Sequence, residues 1–489
     1  MLVLALDVGT SSVRARAFDA DGRAQPGAEG QVTYEPRITR DGGVELDPDR
    51  LLAAAADALD ACLAGCGAPA TGIAAVGVSV FWHGLLALDG AGRPLTPVIT
   101  WADTRSAAAA HALRRAHDER QIHARTGAPL HAAFFPAKLR WLREGFPDVF
   151  ARAATWCGFG EYLQARLTGR LGTSLSMASG TGLLDQVGGG WDRGMLAVAG
   201  ITLDELPPID DTPAPGLIAP HAARWPALAR VPWHPARGDG ACSNVGSDCR
   251  DPRRVALNLG TSAALRVILP EPPGPHAATP WGLWRYRVDA RRALVGGATS
   301  EGGNVLAWCR SSLALPRDPE AFEEALGAVA PDGHGLTALP FLAGERSPGW
   351  RPDARAVVAG LSLGTGAVEI ARALLESVAF RLAEVYDRLR PVAAPDHIVV
   401  GSGGALAHSP VWTQIVTDAL GVPVAIGRDA EASARGAAVL ALEALGVPAP
   451  APPAPVRVLR PTPERHARYQ AARERQRRLY DNVVGFTQS

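Results

Sequence analysis

Lysine is almost absent from this chain, since Lys138 is the only one among its 489 residues. A P-loop needs a lysine directly after its glycine-rich turn, and Lys138 follows no such turn. No GxGxxG follows the first apolar run either. The sequence therefore excludes the P-loop and the dinucleotide-binding fingerprint, and a phosphate site would have to be built from other groups.

Net charge is absent too, because 49 lysines and arginines balance 49 aspartates and glutamates. This balance provides no long-range field for nucleic acid or an anionic membrane, so we expect neither as a partner. No stretch approaches the roughly 20 apolar residues that cross a bilayer. Asp7 interrupts the first apolar run, which is typical of a strand and not of a signal peptide. The six cysteines lack zinc-site spacing, and we expect buried free thiols and a cytoplasmic location.

What the chain does have is a repeat. LVLALDVGTSS, residues 2–12, returns as VALNLGTSA, residues 255–263. Each copy is an apolar strand followed by a Gly-Thr-Ser turn, and the main chemical change is Asn258 in the place of Asp7. Other strands alternate with helical patterns, which is typical of α/β proteins. The repeat predicts two similar α/β domains, residues 1–250 and 251–445, with a ligand cleft between them.

The clearest helix prediction follows an apolar strand and the glycine turn GSGGA, residues 401–405. Ser409 and Pro410 are typical of a helix start, and Gly421 of a helix end. Residues 446–489 are predicted to form a proline-rich linker and then a polar, basic helix.

The two Gly-Thr-Ser turns are candidates for phosphate binding, because their backbone N–H groups and hydroxyls could surround an anion. Paired structural turns are the alternative. Asp7 would repel a bare phosphate, but it becomes favourable if Mg²⁺ lies between them, with a water molecule as intermediary. Asn258 offers hydrogen bonding without charge. Glycines in the 401–405 turn would let the backbone approach a nucleoside closely.

Asp239 lies between two glycines just before the second copy, where the two domains should meet. A carboxylate held there could act as a general base towards a sugar hydroxyl, and a simple turn aspartate is the alternative. The segments WHG, residues 82–84, and TWADTRS, residues 100–106, combine aromatic and charged groups that suit a polyol. Each of these segments could equally be structural.

Together these motifs resemble the FGGY family of carbohydrate kinases, of the actin-like ATPase superfamily, over residues 1–445. LALDVGTSS and LNLGTSA resemble its two phosphate motifs, and VVGSGGA resembles its adenosine motif. Residues 134–144 and 357–378 resemble its two signatures. The resemblance implies an α/β fold of two ribonuclease H/actin-like domains with a nucleotide-binding cleft between them. It also implies ATP and Mg²⁺ as cofactors.

The resemblance also implies roles for individual residues. Asp239 would be the catalytic base, and Asp7 would lie near Mg²⁺, with water between them. Substrate would be bound by Trp82, His83, Asp103, Arg105 and Asp239. Nucleotide and phosphates would be bound by Thr10, Ser11, Ser12, Gly260, Thr261, Gly302, Gly303, Gly403 and Gly404.

Within the family, PLTPVITWADTRS, GDGACSNVGS and PFLAGERSPGW are most similar to gluconokinases. This similarity implies phosphorylation of D-gluconate to 6-phospho-D-gluconate. The carboxylate of gluconate needs a cation, for which Arg105, Arg346 and Lys138 are candidates. A kinase for xylulose or another ketose or polyol is the nearer alternative. A non-catalytic, nucleotide-gated sugar sensor of actin-like fold is the distant one. We expect a small sugar or sugar acid as ligand. The sequence leaves the oligomeric state open, with a homodimer as one option.

Overall fold

The computed structural model of the chain describes residues 1–67, 70, 72–271, 278–427, 431–450 and 455–484. The middle of the predicted proline-rich linker, residues 451–454, lies outside the described residues. Strands of the first half are β1 (Leu2–Val8), β2 (Ser12–Asp19), β3 (Ala24–Thr33), β4 (Arg37–Ile38), β5 (Val44–Leu46), β6 (Ile73–Val80), β7 (Leu86–Leu88), β8 (Val98–Ile99), β9 (Thr155–Cys157) and β10 (Arg237–Gly238). Its helices are α1 (Pro48–Cys66), α2 (Ala107–Ala116), α3 (Glu119–Thr126), α4 (Phe135–Gly145), α5 (Pro147–Arg152), α6 (Phe159–Thr168), α7 (Leu175–Ser179), α8 (Arg193–Ala199), α9 (Ala219–Arg224) and α10 (Asp239–Gly246).

The second half begins with the second copy of the repeat. Its strands are β11 (Arg254–Leu259), β12 (Ala263–Pro270), β13 (Trp284–Asp289), β14 (Arg292–Thr299), β15 (Thr337–Leu339), β16 (Val357–Ala359), β17 (Ile398–Ser402), β18 (Val424–Ile426) and β19 (Arg457–Leu459). Its helices are α11 (Gly303–Ser312), α12 (Pro319–Ala328), α13 (Ala367–Leu389), α14 (Gly404–His408), α15 (Pro410–Leu420), α16 (Ala432–Ala444) and α17 (Pro463–Val483).

The two copies of the repeat occupy equivalent places in two sheets. The first sheet has the order β10-β6-β1-β2-β3, and the second has β13-β14-β12-β11-β17-β18-β19. In each, the repeated strand forms a hairpin with the next strand and pairs in parallel with a later one, β6 for β1 and β17 for β11. The duplication inferred from the sequence is thus present in the topology.

Each sheet is stabilised by burial of an apolar face. Val13, Ala15 and Ala17 of β2 are buried on one face, while Arg14 and Arg16 on the other face are half-buried. In the second half, the 23-residue helix α13 and helix α15 cover the second sheet. The predicted start of α15 is confirmed, because the Ser409 hydroxyl accepts a hydrogen bond from the backbone N–H of Trp412.

Helix α16 belongs to the second half in sequence but packs on the first sheet. Its alanines Ala434, Ala437 and Ala438 are buried against Val3 and Ala5 of β1. Gly77 of β6 permits this approach, since a Cβ atom there would lie 2.3 Å from the carbonyl oxygen of Ala437. The chain therefore crosses back between the two halves, which ties the two sheets together.

Trp82 fixes the segment in front of α10. Its indole N–H donates to the carbonyl oxygen of Ser176 over 3.0 Å. The ring lies so close to three glycines that a Cβ atom at Gly180, Gly238 or Gly240 would come within 2.4, 1.8 or 2.8 Å of it. Only glycine fits at these places, and the tight packing sets the position of Asp239 between two of them.

We predict that Gly238→Ala destabilises the protein by about 1–3 kcal/mol, because the added methyl group must displace Trp82. The urea midpoint of unfolding measures this change. Gly90→Ala is the matched control, since a Cβ atom there meets nothing within 4 Å. The control should stay within about 0.5 kcal/mol of the unchanged protein. Equal midpoints for both variants would contradict the tight contact with Trp82.

Candidate active site

A cavity of ≈ 190 Å³ lies between the two repeated hairpins. Thr10 from the first turn and Asn258 and Ser262 from the second strand and turn line it together. Asp239, at the first position of α10, lines it from the first half. Both halves therefore contribute polar groups to one cavity.

The second turn and both predicted glycine pairs come together on one side. Gly303 and Asn304 donate their backbone N–H groups to the carbonyl oxygens of Gly260 and Thr261, over 2.7 and 3.1 Å. Gly403 has a φ of 103°, and a Cβ atom there would lie 2.5 Å from the carbonyl oxygen of Leu259. The structure thus joins three of the segments predicted to bind nucleotide, which are Gly260–Thr261, Gly302–Gly303 and Gly403–Gly404.

The first turn is closed by a hydrogen bond of 2.9 Å from Gly9 N to the carbonyl oxygen of Ser12. Of its three predicted phosphate ligands, Thr10 lines the cavity. Ser11 is exposed at the tip of the turn, and Ser12 is buried at the start of β2. In the second turn, the counterpart of Thr10 is Thr261, which is exposed.

Asp7 and Asp239 are neighbouring carboxyl groups, of which Asp239 lines the cavity. Burial raises the pKa of Asp7 to about 6, and the charge of Asp239 raises it further, while the Ser79 hydroxyl lowers it. Burial also raises the pKa of Asp239, against the opposing effect of the Arg266 guanidinium. The backbone N–H of Gly240 donates to Asp239 Oδ1 over 2.7 Å. Both groups are thus proton acceptors with pKa values above the ordinary aspartate range.

Asp7 fits a site for a divalent cation. Asp7 is buried, with 9% of the residue exposed. Even so, its carboxylate makes no salt bridge in the described part of the chain. Mg²⁺ prefers one or two carboxylates together with water and phosphate oxygens. A cation held there would favour the ionised carboxylate and offset the effect of burial.

Two arginines from the second half enter the cavity. Arg266 comes from β12 and Arg346 from the loop between β15 and β16. Among the described residues, neither guanidinium has a hydrogen-bonded or ion-paired carboxylate. Arg346 lies over the ring of Trp101, 5.2 Å from the ring centre, and its Nε is buried without a hydrogen-bond partner. Burial lowers the pKa of both groups, although both side chains are half-buried and keep some contact with solvent.

His83 adds a neutral acceptor. Burial lowers the pKa of its imidazole to about 3, and the nearby Arg346 lowers it further. Its Nδ1 lies 2.6 Å from the carbonyl oxygen of Gly180, so Nδ1 must carry the proton and Nε2 is left as an acceptor. The residue has a φ of 67°, which is uncommon outside glycine and often found at functional sites.

An aromatic wall closes the cavity on the other side. Trp284 and Tyr286 of β13 stack with ring centres 4.3 Å apart, and Tyr286 lies 4.8 Å from Trp82. Sequence reasoning missed both β13 residues. The alternation in WRYRVD, which puts Trp284 and Tyr286 on one face of a strand, is the signal that could have found them.

Arg266 was missed as well, and its signal lies in the repeat itself. In the first hairpin the equivalent residue is Arg16, because Arg16 pairs with Ala5 of β1 as Arg266 pairs with Ala256 of β11. An arginine thus stands at the same place in both copies, next to the buried Ala15 and Leu265. Comparing the hairpins in this register would have singled out Arg266.

Asp103 and Arg105, predicted to bind substrate, form an ion-pair network with Glu45 instead of lining the cavity. Arg105 Nη2 lies 2.6 Å from both Asp103 Oδ2 and Glu45 Oε1, and its guanidinium lies over the ring of Trp141. Asp103 also accepts a hydrogen bond from the backbone N–H of Val44 over 3.0 Å. Trp101 is the member of TWADTRS that lines the cavity.

Lys138 is fully buried outside the cavity lining. Its ammonium group donates to the carbonyl oxygens of His83, Ile99 and Thr100 over 2.6, 3.0 and 2.8 Å. Burial lowers its pKa to about 7. Its three contacts hold the segment that carries His83, and of the three candidate cations only Arg346 reaches the cavity.

No helix within the described residues is long and apolar enough to cross a bilayer.

Comparison with known proteins agrees with this architecture. Residues 2–246 match the N-terminal domain of the FGGY family of carbohydrate kinases, and residues 255–445 match its C-terminal domain. The gluconokinase of Bacillus subtilis is 29% identical over 460 residues, which cover 91% of this chain and 88% of the relative. The glycerol kinase of Aromatoleum aromaticum is 35% identical over 450 residues, covering 90% and 89%.

A solved structure of a xylulose kinase from Lactobacillus acidophilus superposes with a TM-score of 0.88 at 27% identity, covering 99% of this chain and 98% of the other. The predicted two-domain, actin-like fold and kinase activity are therefore confirmed. The relatives differ in substrate at similar identity, so they establish a sugar kinase without naming its sugar. The chain belongs to the FGGY family of carbohydrate kinases.

Proposed function

We propose that this kinase transfers the γ-phosphoryl group of ATP to the primary hydroxyl of a sugar acid, D-gluconate, giving 6-phospho-D-gluconate. The observation that carries the proposal is the pair of guanidinium groups, Arg266 and Arg346, in a cavity whose lining holds one carboxylate, Asp239. A neutral polyol leaves this imbalance of charge in place. An aldonate would supply the missing negative charge.

The carboxylate of the substrate suits these arginines because a guanidinium can bind a carboxylate through two parallel hydrogen bonds. Both arginines are half-buried, and charge-assisted bonds are stronger there than in bulk water. Arg346 is the better candidate for this contact, since Arg266 offsets the charge of Asp239 more strongly than Arg346 does. The aromatic wall would cover the C–H face of the sugar, and His83 Nε2 would accept a hydrogen bond from a hydroxyl.

Asp239 is the proposed general base. It takes the proton of the primary hydroxyl as the oxygen of that hydroxyl forms a bond to the γ-phosphorus, and the bond from phosphorus to the β,γ-bridging oxygen breaks to release ADP. Burial raises the pKa of this carboxyl, which makes it a better proton acceptor. Trp82 and its neighbouring glycines hold the carboxylate in place.

The two turns are proposed to bind the phosphates of ATP, with Thr10 on one side and the segments of Gly260, Gly302 and Gly403 on the other. Mg²⁺, when bound near Asp7 with water between them, would neutralise charge on the phosphate oxygens. Closure of the cavity around both substrates would limit water and so keep the phosphoryl group for the sugar. Buried free thiols are consistent with the cytoplasmic location expected from the sequence.

The acceptor specificity is predicted to favour gluconate over xylulose, ribulose, rhamnulose and glycerol. A coupled assay of ADP release across these sugars gives kcat/KM for each. A value for gluconate no higher than that for a neutral sugar would remove the sugar-acid assignment and leave the kinase assignment in place. No turnover on any of them would favour another substrate or a non-catalytic sensor.

The same assay tests the arginine. Arg346→Gln should lower kcat/KM for gluconate by roughly 10- to 150-fold, because a hydrogen-bonded contact to a charged group contributes about 1.5–3 kcal/mol. Turnover of any neutral sugar should change much less. Arg115→Gln, at an exposed position of α2, is the matched control and should leave both unchanged.

Asp239→Asn should lower kcat by roughly 10²–10⁴-fold, the usual contribution of a general base. The affinity for ATP, measured by calorimetry, should stay within a fewfold, because Asp239 faces the acceptor. Near-normal turnover in this variant would remove Asp239 from the proposed role.

Asn258→Asp should weaken ATP binding by about tenfold or more, because it places a second carboxylate beside the phosphates. In the unchanged protein, Asn258 Nδ2 donates to the Ser402 hydroxyl over 3.2 Å. Asn258→Ser keeps a hydrogen-bonding group without charge and should lose far less affinity. Equal ATP affinity of the aspartate variant and the unchanged protein would make the Asp7/Asn258 difference incidental.

A further inference from the structure

The C-terminal helix α17 reaches the loop that carries Arg346. The hydroxyl of Tyr480 donates to Glu345 Oε2 over 2.6 Å. Glu345, which immediately precedes Arg346, is 2% exposed. A short path of two residues therefore connects the outer helix with a guanidinium inside the cavity.

Glu345 is held from several directions. Its side chain forms an ion pair with Arg381 and accepts the backbone N–H of Gly349 over 3.1 Å. Its own N–H donates to the carbonyl oxygen of Arg351 over 2.8 Å. Because the carboxylate is buried, any rotation away from Tyr480 would leave a polar group without a partner.

The Tyr480 ring is fixed in its turn. It packs edge-on against Phe341, with ring centres 5.9 Å apart, and the Arg381 guanidinium lies 4.9 Å from its centre. A second bond joins the end of α17 to the same loop, from Arg351 Nη2 to the carbonyl oxygen of Val484 over 3.0 Å. The helix thus presents the hydroxyl in one place.

The Arg346 side chain, by contrast, makes no hydrogen bond within the described residues. Its contact is with the face of Trp101, and its Nε is buried without a partner. The backbone of the loop therefore sets where the guanidinium points. That backbone is tied down by bonds from Trp350 N to the Arg346 carbonyl oxygen, 2.6 Å, and from Ser347 N to that of Ala298, 2.9 Å.

We propose that Tyr480 is a positioning residue for acceptor binding, which holds the Arg346 guanidinium in the cavity by fixing the Glu345 carboxylate beside it. This inference rests on the proposed function only in that Arg346 contacts the phosphate acceptor. It does not depend on which acceptor that is. It gives the C-terminal helix a role in substrate recognition in addition to packing against α13, α15 and β15.

Tyr480→Phe tests the proposal on the acceptor with the highest kcat/KM. The KM for this acceptor should rise about 3- to 10-fold, while kcat and the KM for ATP stay within about twofold. Tyr469→Phe is a matched control on the same helix. Tyr469 also donates its hydroxyl to a buried carboxylate, Glu376 Oε1, over 2.9 Å. Unlike Glu345, however, Glu376 is not adjacent in sequence to a residue that lines the cavity. The control should leave the acceptor KM unchanged.

A double-mutant cycle with Arg346→Gln shows whether Tyr480 acts through Arg346. In the Arg346→Gln background, Tyr480→Phe should cause no further loss of kcat/KM for the acceptor. An equal loss in both backgrounds, or an acceptor KM no higher in Tyr480→Phe than in Tyr469→Phe, would overturn the proposal. If Arg346→Gln itself leaves the acceptor KM unchanged, the assignment of Arg346 to the acceptor fails, and the inference fails with it.

Discussion

The opposition of Asp239 to the guanidinium groups of Arg266 and Arg346 is the interaction on which the site depends. The carboxylate comes from the first half of the chain and the two cations from the second. The charges of both arginines stabilise the ionised form of Asp239. Opposite charges attract more strongly between partly buried groups than in bulk solvent, which favours the approach of the two halves around the cavity. With two cations and one anion lining the cavity, the proposed negatively charged acceptor would complete the balance.

Gene duplication explains why the two halves can share this task. Both hairpins keep the strand, the Gly-Thr-Ser turn and a parallel partner strand, because these features position backbone N–H groups. Divergence is concentrated where chemistry differs. Asp7 became neutral Asn258 in the second copy, or the reverse, whereas Arg16 and Arg266 keep an arginine at the same register position. One half thus holds the carboxylates, and the other holds the cations and the uncharged amide.

The frame was predictable from sequence because its signals are local. An apolar run followed by Gly-Thr-Ser marks a strand and turn wherever it occurs, and Ser409-Pro410 marks a helix start through its own hydrogen bonds. The surroundings of a side chain are not local. Asp103 and Arg105 stand two residues apart in a polar segment, yet their partner Glu45 lies far earlier in the chain. Nothing in their own segment distinguishes an ion pair that holds a loop from one that binds a sugar.

The same reasoning explains why relatives with different substrates match this chain about equally well. Identity over some 450 residues is a property of the whole frame, which these relatives share with this chain. Acceptor choice depends on a few side chains whose orientation is set by distant packing. We propose that Arg346 is one of them, with its direction set by a loop held by Glu345 and the C-terminal helix. A neutral acceptor would leave that half-buried guanidinium without an anion, whereas a sugar acid would pair with it, and this difference in charge pairing would favour the sugar acid.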